Sequence, residues 1–132
     1  MIEKEEAVLG ANQIFYKAFN NKDFESMENL WSSNKNIAVI HPGWPPVLGQ
    51  ESVLSSWKGI FEGGMSPTVN CANISANILG NTAIVICTEL LEEGELVATN
   101  IFVLEEDAWK IVHHQSGPLP LTNTSVNDGA LH

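Results

Sequence analysis

Three of the four histidines fall in two short stretches: His41-Pro42-Gly43-Trp44-Pro45-Pro46, and the segment Trp109 to Gln115 that carries His113 and His114. Imidazole titrates near neutrality, so a histidine held against a small molecule can move a proton without a cofactor. His41 and His113 are the candidates for a general base, and a structural hydrogen bond is the competing reading of each. Nucleophilic catalysis has no support, because the chain lacks a Ser-His-Asp order, a glycine-rich phosphate loop and a nucleophile elbow. His41, His113 and Glu89 are suitable metal-ligand types, but no HxH or HExxH spacing accompanies them, so no metal or other cofactor is expected. Cys71 and Cys87 fit neither a metal spacing nor a CxxC pair and read as reduced core residues.

These residues need elements to hold them. Apolar positions 7, 8, 11, 14, 15, 18 and 19 make one stripe of a helix, with Tyr16 on it. Asp23 is placed to cap a second helix, whose Phe24, Met27, Leu30 and Trp31 share a face. Ile37 to Ile40 reads as a strand and runs into the proline-rich loop, a stiff segment that restricts His41 and Trp44. A third helix starts near Gln50, carries Val53, Trp57, Ile60 and Phe61 on one side, and stops at Gly63-Gly64. After Pro67 the period becomes strand-like, with strands near 68–79, 82–92, 95–105 and 108–115, and turns at Gly80-Asn81, Glu93-Gly94 and Glu106-Asp107. The layout ααβαββββ is an α+β arrangement in which a curved antiparallel sheet wraps on the N-terminal helices.

Two-residue turns at those places fix which side chains share a face. Cys87 then faces Asn100 and Asn100 faces His113; Val85, Phe102 and Ile111 form a second row, Glu89, Ala98 and Gln115 a third, and Leu104 meets Trp109. Ala72, Ile74 and Ala76 join this inner face. It is apolar toward one end and polar toward the other, where Glu89, Asn100, His113 and Gln115 must satisfy one another or line a wet pocket. The opposite face, with Ile84, Ile86, Ile101, Val103, Val112 and His114, is apolar enough to suggest burial against a second subunit.

Sixteen acids, six lysines and no arginine give a net charge of −10. Such a surface repels polyanions and has no bidentate guanidinium for phosphate, so neither nucleic acid nor an acidic membrane is an expected partner. The start MIEKEEAV is acidic and does not resemble a secretory leader, which makes a cytoplasmic location the expectation. One domain over residues 1–118 is expected, followed by a loose polar tail over 119–132 that includes His132.

FYKAFNNKD in the first helical hairpin, IHPGWPPVLGQESVLSSW through the loop and third helix, and ATNIFVLEEDAWKIVHHQSGP at the end carry a resemblance across nearly the whole chain. The sequence resembles the SnoaL-like group of the nuclear-transport-factor-2-like superfamily. That resemblance implies a cone-shaped α+β barrel, a deep apolar cavity between helices and sheet, and a homodimer through the outer sheet face. The superfamily includes ketosteroid isomerases, polyketide cyclases, dehydratases and the association domain of calcium/calmodulin-dependent kinase, so the fold does not fix an activity. Where the isomerases carry a helix-one tyrosine, a carboxylate base and a buried acid, this chain has Tyr16, His41 and Asn100 in comparable places. Neither His41 nor Asn100 supplies the chemistry of a carboxyl group, and steroid isomerisation is not expected. Relatives with an HHH-type ending often carry histidine where Gln115 stands here, so a histidine-pair mechanism is not implied either.

The leading expectation is a dimeric domain that binds a small, largely apolar molecule. The ligand contacts expected are Tyr16, Trp44, Trp57, Glu89, Asn100, Phe102, Trp109 and Gln115, with His41 and His113 as the residues able to do chemistry. Trp44 is the candidate rim or lid. A second expectation is an isomerase, cyclase or dehydratase with a histidine base, and a third is an oligomerisation module.

Overall fold

A computed structural model describes residues 2–64 and 66–120. Of the expected tail, residues 121–132, including His132, lie outside the described residues, while Leu119 ends the last strand.

Three helices cover one face of a curved six-stranded sheet, as the α+β reading requires. In chain order the elements are α1 (Ile2–Asn21), α2 (Phe24–Leu30), β1 (Ala38–Ile40), β2 (Val47–Leu48), α3 (Gln50–Glu62), β3 (Asn70–Leu79), β4 (Thr82–Leu91), β5 (Gly94–Glu105) and β6 (Ala108–Leu119). The short strand β2 is an addition to the expected layout. It pairs with β1 and extends the sheet to the order β2-β1-β6-β5-β4-β3.

Asp23 caps α2 as its position predicts, its carboxylate accepting from the Ser26 backbone N–H at 3.1 Å and the Ser26 hydroxyl at 2.7 Å. Those bonds hold the Asp23 carboxyl below its ordinary range. Phe15, Trp57 and Phe102 are fully buried where α1, α3 and the sheet meet. Burial of each such side chain contributes roughly 1.5–3 kcal/mol. Phe15 meets Trp57 edge-to-face with ring centres 5.5 Å apart, which locks α1 to α3 over the sheet.

Two features of the register differ from the expected one. The β4–β5 loop is Glu92-Glu93, with Leu91 opposite Gly94, so Asn100 faces Val85 and Cys87 faces Ala98. This shift of two keeps every side chain on its expected face. In the β5–β6 hairpin, Leu104 faces Trp109 and Phe102 faces Ile111 as expected, but Ile101 then faces His113 and Asn100 faces His114. Val112 is an extra residue, a β-bulge, and a bulge reverses which side chains point inward beyond it. His113 and Gln115 therefore go to the outer face, while His114 and Ser116 go in; Val112 packs against the core and not on the outer face. A second bulge between Ala72 and Ser75 turns Ala72 outward, opposite Thr88; Ile74 is exposed but lines the cleft between α1 and β3, and Ala76, opposite Val85, keeps its place.

Candidate functional site

Residues four apart on α1 share a face, so Asn12 and Tyr16 both project onto the sheet between Cys87, Glu89 and Asn100. The hydroxyl of Tyr16 donates to Oε2 of Glu89 at 2.7 Å, and the hydroxyl of Ser116 donates to Oε1 at 2.6 Å. With its proton given to Glu89, the Tyr16 oxygen accepts from Nδ2 of Asn100 at 3.2 Å and lies 3.2 Å from Sγ of Cys87. Nδ2 of Asn100 also donates to Oδ1 of Asn12 at 2.8 Å. Its Oδ1 is left as an acceptor, and Nδ1 of His114 stands 2.5 Å from it. The network thereby assigns His114 a tautomer: Nδ1 carries the proton and Nε2 carries the lone pair.

Burial sets the charges. His114 is 4 % exposed, and burial, helped by the charges His41 and His113 would carry, pushes its pKa down to about 3. His41 is pushed down to about 4, also by burial. Glu89 moves the other way: burial raises its carboxyl, and the bonds from Ser116 and Tyr16 offset only part of the rise. The Tyr16 phenol is driven up by burial and then by the neighbouring Glu89. The site at neutral pH thus holds two neutral imidazoles and a carboxyl group whose proton affinity exceeds that of a solvated one.

An apolar cavity of about 310 Å³ adjoins this network. Phe15, Phe19, Trp57, Ile60, Val69, Leu91 and Leu96 supply apolar wall, Pro42, Trp44, Ser66 and Pro67 lie on the loop side, and Tyr16, His41, Glu89 and His114 are its titratable lining. His41 leaves β1 at the start of the proline-rich loop, and its Nε2 stands 2.9 Å from Oγ of Ser56. Ser56 gives its own proton to the Val53 carbonyl at 2.7 Å, so the His41 Nε2–H is the donor. The ring is wedged edge-on against Trp57 (4.6 Å) and Trp44 (4.7 Å), and Trp44 is 45 % exposed, a rim residue in reach of solvent.

The sequence profile of the SnoaL-like domain matches residues 8–120, most of the chain. The chain belongs to the SnoaL-like domain family. Its fold is that of the nuclear-transport-factor-2-like superfamily. A candidate dehydratase of the NTF2-like family from Streptomyces avermitilis is 29% identical, with TM-score 0.82 over 92% of this chain and 100% of that one. A candidate calcium/calmodulin-dependent protein kinase type II association domain from Thiobacillus denitrificans is 26% identical, with TM-score 0.77 over 83% of this chain and 93% of that one. Among curated proteins, the F-box protein SKIP8 of Arabidopsis thaliana is 23% identical over 122 residues, which are 91% of this chain and 53% of that protein. The SnoaL-like chain thus spans about half the length of that relative.

Within this SnoaL-like domain, Tyr16, His41, Trp44, Trp57 and Glu89 line the cavity, and Asn100 stands behind it, reaching it through His114 and Tyr16. Four expected site residues lie elsewhere. His113 and Gln115 are on the outer face because of the bulge at Val112. Phe102 is packed in the core, and Trp109 is buried near Ala11 and Leu30, on the α1–α2 side. His114, expected at the outer face, lines the cavity together with His41. Asn12 was legible as a polar residue inside the α1 stripe, one turn before Tyr16. Ser116 and His114 follow from the bulge alone. Among the described residues, no group of three or more His, Cys, Asp or Glu side chains is placed to hold a metal ion, and no helix is long and apolar enough to cross a membrane.

Proposed function

We propose that this SnoaL-like domain binds a small, largely apolar molecule that carries one hydroxyl group, and that the hydroxyl donates to Nε2 of His114. The observation that carries this reading is a buried neutral imidazole, its Nδ1 committed to Asn100, at the wall of a mostly apolar cavity. Specific pockets combine mostly apolar walls with a few placed polar groups, and this cavity has that composition. Native mass spectrometry of the purified chain would reveal a co-purified molecule. Titration with 2-naphthol, followed by its fluorescence, supplies a defined probe. Saturable binding that Leu96→Trp weakens at least about tenfold, by filling the cavity, supports the proposal; binding unaffected by the tryptophan overturns it.

A second reading is favoured by Glu89, a carboxyl raised by burial and held beside Tyr16 in the same cavity. An acid–base catalyst works best with a pKa near the working pH. Two imidazoles depressed to about 3 and about 4 are weak bases at neutrality, so a proton-transfer enzyme on this frame would use Glu89 in place of a histidine. The likeness to the Streptomyces candidate dehydratase is consistent with that class. Exchange of the α-protons of 2-tetralone in deuterated water, lost in Glu89→Gln, would support it; equal exchange in that variant would refute it. The outer face, with Ile84, Ile86, Val97, Ile101 and Val103, is the surface through which we expect two copies to pair.

A further inference from the structure

Cys71 and Cys87 are the only two cysteines in the chain, and the fold brings them together. Cys71 on β3 faces Glu89 on β4, so Cys87, two residues earlier on β4, is its diagonal neighbour on the same inner face. Each sulfur is the foremost influence on the other's ionisation, Cys71 raised and Cys87 lowered, so the pair parts with one proton more readily than with two. Sγ of Cys71 also lies 3.6 Å from Nδ2 of Asn12, and Sγ of Cys87 lies 3.2 Å from the Tyr16 oxygen. Cys87 is buried, but Cys71 is half-buried and lines an open cleft of about 760 Å³ between α1 and β3, together with Asn12, Tyr16 and Lys17.

Joining diagonal neighbours requires the strands to close up, because a disulfide holds its Cα atoms roughly 4.4–6.8 Å apart and diagonal residues usually stand somewhat farther. β3 is suited to that movement. It is an edge strand, hydrogen-bonded on one side only, and its register with β4 is already broken between Ala72 and Ser75, where Asn73 has φ 54°.

We propose that Cys71 and Cys87 form a reversible dithiol–disulfide pair, oxidised by hydroperoxides that reach Cys71 through the α1–β3 cleft. The Cys71 sulfur, the one that the cleft exposes, attacks the peroxide and gives up its proton as it does so: an S–O bond forms, the O–O bond breaks, and the departing hydroxide takes up a proton to become water. The Cys87 sulfur then attacks Cys71: an S–S bond forms, the S–O bond breaks, and a second water leaves with the remaining thiol proton. Two thiols and one hydrogen peroxide become one disulfide and two waters, two electrons passing from sulfur to oxygen. The bond removes from Cys87 the S–H that donates to the Tyr16 oxygen, whose own proton is given to Glu89, so oxidation changes the polar end of the cavity.

The test uses the full chain, freed of reductant and exposed to hydrogen peroxide. Intact-mass measurement should show loss of two hydrogen atoms per chain, with both thiols disappearing together, no covalent dimer, and full reversal by dithiothreitol. The cross-link should form at least about tenfold faster in the native protein than in urea, because the fold supplies the proximity. In Cys71→Ser and in Cys87→Ser the remaining thiol should gain oxygen or stay free. Oxygen added to one cysteine of the wild type while the other stays titratable overturns the proposal. So does equal cross-linking in urea, or thiols inert at peroxide concentrations that oxidise free cysteine.

Discussion

Nδ1 of His114 donates to the amide oxygen of Asn100 at 2.5 Å, and the bond exists because Val112 is one residue more than the β5–β6 ladder can pair. Without that bulge His113 would face Asn100 and His114 would face outward. With it, the inner face carries a closed sequence of donors and acceptors from Ser116 through Glu89, Tyr16 and Asn100 to His114.

The two adjacent histidines should therefore differ in their contribution to stability. His114→Ala leaves the Asn100 oxygen buried without its donor and enlarges the cavity, which together cost about 2–4 kcal/mol. His113→Ala, at the outer face, should cost under about 1 kcal/mol. Urea unfolding of both variants measures the difference, and equal losses would refute the assignment.

How much of this was legible beforehand depends on what kind of signal each feature leaves. Helix periods, the Asp23 cap and the change to strand patterning after Pro67 are repeated over many residues, and they placed three helices and the four long strands. Glycine is the stronger turn signal and points to Glu93-Gly94, one position after the turn Glu92-Glu93 that forms; Gly94, at φ 157°, begins β5. The offset moves partners by two, and no side chain changes face. The bulge at Val112 is a single unpaired residue with nothing in its composition to mark it, and it exchanged the roles of His113 and His114. Sequence parity therefore located the polar end of the cavity but named the wrong imidazole.

Tyr16→Phe tests the carboxyl end of the network. The tyrosine hydroxyl lowers the Glu89 carboxyl, which burial has raised, so its removal should move Glu89 titration to still higher pH. Loss of a buried hydrogen bond should also cost about 1–3 kcal/mol. Side-chain carbon NMR of Glu89 in both proteins checks the direction; a downward shift would contradict it.

Acid stability follows from the imidazoles. His114 binds a proton in the unfolded chain below its ordinary pKa of 6.5, but in the folded chain only near 3. Over that window the unfolded state holds more protons, so stability is full above 6.5 and falls as pH drops, by up to about 1.4 kcal/mol per pH unit. Glu89, raised in the folded state, acts with the opposite sign: its contribution is present below its unfolded value of 4.5 and is lost as pH rises through the folded one. Comparing wild type with His114→Leu cancels the Glu89 part. The variant should lose less stability than wild type between pH 7 and pH 5, and parallel curves would exclude a buried neutral His114.

The outer face offers a separate check. Ile86 and Val97 are each 42 % exposed on it. A lysine at position 86, made as Ile86→Lys, should turn a dimer into monomers in sedimentation equilibrium by placing a charge in an apolar interface. A wild-type chain that sediments as a monomer, or a dimer indifferent to the lysine, would place the contact elsewhere.

The most direct test of the cavity reading is long-range nitrogen NMR of the histidine rings, assigned through His113→Gln and His114→Gln, with and without 2-naphthol. His114 should show the Nδ1–H tautomer, stay neutral down to pH 5, and change its Nε2 resonance when the naphthol binds, while His113 does not respond. A response at His113 in place of His114, or a His114 ring that titrates near 6.5, would contradict the account.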